Sequence, residues 1–274
     1  MRLVLAHLPV VVAGVVSIVA IPACGDMNSA TDATDSTDST DSSMSGMAET
    51  EGTSEDGQTG PGSTGGTPGT CDNQIQGAGE ATYYGADGSG NCSFPATPQN
   101  LMVAAMNEAD YLGSEACGAC VAVSGPNGDV TVRIVDRCPG CAKGDIDLSE
   151  SAFAMIADPV DGRVPITWSY TDCNLQTPLR YHFKEGSNEF WSAIQVRDHN
   201  HPVATLEYSP DGGDSWTAMA RENYNYFLEP AGLGAGPYTL RVTDIYGHQQ
   251  VDSGLVFAPD SEAAGAGQLP SCGG

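Results

Sequence analysis

The residues best placed to do chemistry gather in residues 131–149, TVRIVDRCPGCAKGDIDLS. Asp136 closes a run of branched residues, Thr131, Val132, Ile134 and Val135, that favours a half-buried strand. Pro139-Gly140 and Lys143-Gly144 then turn the chain. Asp147 follows between Ile146 and Leu148, a carboxylate inside a second strand. A strand–loop–strand layout brings both acids to one cleft. There they can hydrogen-bond sugar hydroxyls or run acid–base chemistry on a glycosidic bond. Hydrolysis needs a second carboxylate to hold the attacking water. Asp87, in the glycine loop after Tyr83-Tyr84, stands before Gly and reads as ordinary turn chemistry. A lone strand Asp is most often structural, so Asp147 draws its functional weight from the motif around it.

The elements that must position these acids are short. GEATYYG, residues 79–85, reads as a strand before a glycine loop. Leu101 to Met106 has helical apolar spacing and reads as a short helix. Cys117 to Ser124 and Asp129 to Asp136 read as partner strands around the tight turn Gly125-Pro126-Asn127-Gly128. Ser149 caps a short helix through Ile156, and Val164 to Tyr170 is a further strand. Short strands, little helix and frequent turns predict a small closed barrel. From Leu179 to Phe257 strand follows strand with turns at sandwich spacing, such as Asp211-Gly212-Gly213-Asp214. Trp168 and Trp216 alternate with apolar neighbours and read as core, whereas His199 and His201 read as a surface turn.

Residues 1–24 have a basic start, an apolar core and a small residue before Cys24, as in a lipoprotein-type export signal with Cys24 as the lipidated end. Residues 25–70 are a disordered acidic Ser/Thr/Gly tether, too poor in apolar residues to fold. The formal charge is −25, and residues 71–274 keep 26 acids against 9 bases. Nucleic acid and other polyanions are therefore poor partners, whereas a neutral glycan is compatible. Cys71, Cys92, Cys117, Cys120, Cys138, Cys141, Cys173 and Cys272 remain beyond Cys24. In an exported chain this even number reads as disulfides of undetermined pairing, with a Cys71–Cys272 closure among the candidates. The spacing Cys117-x2-Cys120 to Cys138-x2-Cys141 also fits a zinc ribbon, the reading it would carry in a cytosolic chain.

In their order, ATYYG, CGAC, VDRCPGC, GDIDLS, SAFAMIADPVDGRVPITW, FKEGSNEFWSAIQVRDHNHPV, ENYNYF and YTLRVTDIYG resemble an expansin of bacterial or fungal type over nearly all of residues 75–258. The resemblance implies a mostly β chain: a six-stranded double-psi β-barrel at 71–173, as in family-45 glycoside hydrolases. An immunoglobulin-like β-sandwich at 177–258, a carbohydrate-binding module of family 63, follows, with a tail at 259–274. It implies wall loosening without glucan hydrolysis. Asp147 matches the carboxylate essential for loosening, which is the general acid in the hydrolase relatives; those relatives carry their base just after the first barrel strand, where Asp87 is the nearest candidate. Thr82 and Asp136 match polar residues of the same groove, and Cys138 stands where an aromatic is common. Phe190, Trp191 and Tyr224, with Lys184 beside them, match the sugar-stacking set. Adjacent strand residues face opposite sides, so Phe190 and Trp191 share a surface only if the strand starts at a bend.

The chain is thus read as a secreted, lipid-anchored monomer that binds cellulose or a related β-1,4-glucan and requires no cofactor and no metal. A glucanase or peptidoglycan-cleaving enzyme using Asp147 as acid is the second reading. A plain glycan-binding adhesin is the third.

Overall fold

The computed structural model describes residue 71 and residues 74–272. The leader with Cys24 and the tether at 25–70 lie outside the described residues. The first body is a barrel of β1 (Gln76–Tyr84), β2 (Val103–Asn107), β3 (Cys120–Gly125), β4 (Gly128–Cys138), β5 (Ile146–Ser149) and β6 (Val164–Thr171). The sheet closes in the order β1-β5-β2-β4-β3-β6. Pairs β1–β5 and β2–β4 are parallel and the others antiparallel. Closure leaves no unpaired sheet edge. Val121, Val132, Ile134, Ile146, Leu148 and Trp168 are among the side chains that fill the core.

β2 replaces the helix expected over Leu101–Met106. All five of its residues are buried, and β4 and β5 pair with its two edges. A short run enclosed on both faces carries no periodicity that separates strand from helix. The actual helix, α1 (Glu108–Tyr111), follows directly on the end of β2 and is capped by Asn107. β3 begins at Cys120 rather than Cys117. The hairpin turn matches the sequence, with Gly125 paired to Gly128. So does the Ser149 cap of α2 (Glu150–Ile156), where Ser149 Oγ accepts from Ala152 N at 3.1 Å.

The second body stacks two sheets. One runs β10 (Thr217–Ala218), β9 (Val203–Ser209), β13 (Tyr238–Asp244), β14 (Gln249–Leu255). The other runs β11 (Ala220–Arg221), β12 (Phe227–Glu229), β8 (Ser192–Arg197), β7 (Arg180–Phe183), β15 (Ser261–Ala264). Tyr181, Phe183, Ile194 and Val196 from the second meet Leu206, Leu240 and Val242 from the first. The period-2 alternation along β7 and β13 supplies these inward side chains.

Three further expectations are corrected. Within the tail expected at 259–274, the described residues are built into the sandwich: β15 pairs with β7, Glu262 takes Arg180 at 2.6 Å and also Arg197, and Leu269 is buried. Trp216 is half-exposed, because its neighbour β10 is a two-residue edge strand, and it lies under the Arg241 guanidinium at 4.3 Å. His199 and His201 are buried because the barrel side covers their turn. A Cβ on Gly118 would stand 2.5 Å from His199 Nε2, and His201 bridges Asp172 and Asp244.

The eight cysteines pair as Cys71–Cys272, Cys92–Cys117, Cys120–Cys173 and Cys138–Cys141. Cys117 and Cys120 thus take partners outside their own Cys-x2-Cys, and the zinc-ribbon alternative loses its ligands. Cys71–Cys272 ties the two ends of the folded region.

Candidate functional site: a carboxylate groove and an aromatic platform

The barrel register aligns the groove. Thr82 on β1 pairs with Asp147 on β5, Asp147 pairs with Ala105 on β2, and Ala105 pairs with Asp136 on β4. The two acids therefore sit on one cross-strand row, two strand spacings or about 10 Å apart at Cα. The Thr82 hydroxyl donates to Asp147 Oδ1 at 2.6 Å. Burial pushes the Asp147 carboxyl above the usual range. Thr82 and Arg163 pull it back, and the Asp136 charge adds to the rise.

Asp136 is held differently. Its Oδ1 accepts from Asn91 N at 2.6 Å and Arg137 N at 2.8 Å. The glycine loop comes close enough to donate because residue 90 is glycine: a Cβ there would stand 2.4 Å from Asp136 Cβ. Asp87 accepts from both Ser89 N at 2.8 Å and Ser89 Oγ at 2.6 Å, which lowers its pKa as expected of a turn carboxylate. The Cys138–Cys141 disulfide staples the loop between the two acids where the aromatic is missing.

Tyr84 is a groove residue that sequence reasoning passed over. It lies two residues beyond Thr82, hence on the same face of β1. Its hydroxyl is buried and has no hydrogen-bond partner among the described residues. Burial, then the charges of Asp136, Asp147 and Asp87, hold it protonated far above the usual phenol range. The i, i+2 spacing from Thr82 was the available signal.

On the sandwich, Asn188 and Trp191 close a tight turn, with Asn188 N donating to Trp191 O at 2.7 Å. Asn188 Oδ1 accepts from Phe190 N at 2.8 Å. This is the bend that the adjacent pair needs: Phe190 is 74% exposed at the tip and Trp191 is half-buried before β8. Gly232 packs behind the tip, and a Cβ there would meet Glu189 O at 2.1 Å. Tyr224 is half-exposed, with its ring 5.8 Å from that of Tyr226. Lys184 Nζ lies 5.7 Å over the Tyr226 ring, a cation–π contact that fixes the lysine beside the platform. Tyr226 was not anticipated, although YNY spacing pointed to it.

A closed barrel carrying a polar groove, joined to a two-sheet module with exposed rings, defines a polysaccharide-directed class of protein. A family model described as lytic transglycolase matches residues 76–168. Expansin-YoaJ of Bacillus subtilis (strain 168) is 36% identical over 197 residues, covering 70% of this chain and 83% of its own. Expansin-B3 of Arabidopsis thaliana is 28% identical, covering 60% of this chain and 73% of its own. A crystal structure of a mutant Clavibacter michiganensis expansin in complex with cellohexaose superposes with TM-score 0.65 at 34% identity, covering 71% of this chain and 98% of that one. The chain belongs to the expansin family, with its double-psi β-barrel followed by a β-sandwich.

Proposed function

We propose that this chain is an exported, non-hydrolytic protein that loosens cellulose by binding its β-1,4-glucan chains. Phe190, Trp191 and Tyr224 stack on the sugar faces, and Lys184 bonds a hydroxyl. Asp147, Asp136 and Thr82 grip the continuing chain and compete for the hydrogen bonds that hold glucan to glucan. Residues 71–173 are the loosening domain and the sandwich from 177 onward the binding domain, including β15. The chain acts as a monomer, held at the cell surface through Cys24 and its tether. The likeness to an expansin crystallised with cellohexaose supports the ligand class. The observation that carries the non-hydrolytic reading is how the other carboxylates are held: Asp136 Oδ1 accepts from two backbone amides, and Asp87 Oδ1 is tied to the amide and hydroxyl of Ser89 in its own turn.

The test is soluble-sugar release from amorphous cellulose, beside extension of cellulosic walls under load. Extension without release is expected. Release that disappears in Asp147→Asn would overturn the reading in favour of a glucanase. The raised pKa of Asp147 favours that second reading, because it suits a general acid.

A further inference from the structure

One short segment touches both halves of the site. Asn91 N donates to Asp136 Oδ1 at 2.6 Å, while Asn91 Nδ2 donates to Asn223 O at 2.7 Å and to Tyr111 Oη at 2.8 Å. Tyr111, itself buried, donates to the same Asn223 O at 3.0 Å. Asn223 and Tyr224 are the middle residues of a turn between β11 and β12, closed by Asn225 N on Glu222 O at 3.1 Å. The barrel takes this turn at three points. Ser114 Oγ donates to Glu222 O at 2.7 Å, Asn91 and Tyr111 hold Asn223 O, and Asn225 Nδ2 donates back to Cys92 O at 3.1 Å. Gln195 Nε2 adds a second donor to Cys92 O at 2.8 Å, and the Cys92–Cys117 disulfide anchors that end. Tyr224 is thus flanked on both sides by residues that the barrel grips.

We propose that Asn91 is a positioning residue that locks the Tyr224 turn to the Asp136 groove, so that platform and groove act on one glucan chain as a single rigid track. A groove and a platform that rotate freely would each bind separately. Held rigidly, they take the second contact without a further loss of orientational freedom. The inference rests on the cellulose-binding reading, and its test separates the two.

Asn91→Ala keeps the backbone amide on Asp136 and removes only the amide on Asn223 and Tyr111. The first readout is the orientation of barrel and sandwich in solution from residual dipolar couplings. One shared alignment is expected in the parent and two in Asn91→Ala. The second is a double-mutant cycle of Asp136→Asn with Tyr224→Ala for cellohexaose affinity. Coupling of about threefold or more is expected in the parent and none in the Asn91→Ala background. A shared alignment or an undiminished coupling in Asn91→Ala would overturn the proposal. Loss of alignment in Asn91→Ala with no cellohexaose bound even by the parent would sustain the lock and overturn the glucan reading. Should Asn91→Ala fail to fold, the near-isosteric Asn91→Asp, which puts an acceptor oxygen where Nδ2 donates to Asn223 O, is judged by the same two readouts.

Discussion

The Thr82 hydroxyl and the Asp147 carboxylate meet at 2.6 Å across a parallel strand pair, 65 residues apart in the chain. The contact is polarised. Burial lifts the Asp147 pKa, and the Thr82 donation is the largest influence opposing it. Thr82→Val should therefore raise the Asp147 pKa further. The carboxyl carbon shift followed by NMR against pH reads this directly, and a downward or null movement would show that the donor does not tune the acid.

A carboxylate whose pKa is raised in the folded protein weighs against the fold once ionised. The native state holds the proton longer than the unfolded chain, so this contribution worsens as pH rises through the folded value. Asp147→Asn should accordingly melt higher than the parent at neutral pH, with the difference shrinking in acid. Wall extension should be lost while cellulose binding is kept. Thermal melts at several pH values, beside extension assays, check both halves.

Phe190 is 74% exposed on a turn, so Phe190→Ala should leave the melting temperature within about a degree, as for most surface substitutions. Depletion of the protein by insoluble cellulose should weaken about tenfold if the ring stacks on sugar. Trp191→Ala should weaken binding at least as much. Unchanged binding in both would remove the platform from the proposal.

The buried histidines set opposite pH slopes. Burial holds His199 down at about 4. An unfolded chain takes that proton near ~6.5, so stability falls as pH drops from there towards 4. For His201 burial also opposes the charge, but Asp244 and Asp172 together outweigh it and raise the pKa. Its contribution is full below ~6.5 and is lost as pH rises through the raised value. Urea midpoints across pH should lose their acid fall in His199→Gln and their alkaline fall in His201→Asn.

The four disulfides should differ in worth with the loop each closes. Cys71–Cys272 spans 201 residues and Cys138–Cys141 spans 3. Chain entropy assigns about 5 kcal/mol to the first and about 2 kcal/mol to the second. Paired Cys→Ser variants compared by denaturant unfolding give the ranking.

The sequence by itself determined what depends on near neighbours. Branched runs made β4 and β6, Gly125 to Gly128 made the hairpin, Ser149 capped its helix, and alternation from Leu179 onward made a sandwich. It also placed Thr82, Asp136, Asp147, Phe190 and Trp191 in motifs specific enough to resemble a family. Tertiary structure alone decided what depends on distant partners. β2 is a strand because β4 and β5 pair with its two edges, and Trp216 stays half-exposed because its neighbour β10 is a two-residue edge strand. His199 and His201 are buried because another part of the chain covers their turn. The row Thr82–Asp147–Ala105–Asp136 draws on four strands whose register is set only when the barrel closes. The partner of each cysteine, the enclosed Tyr84 hydroxyl and the Asn91 lock come from the same source. Propensity and periodicity act over a few residues, whereas burial, register and hydrogen-bond partnership are properties of surfaces that exist only after the chain has folded.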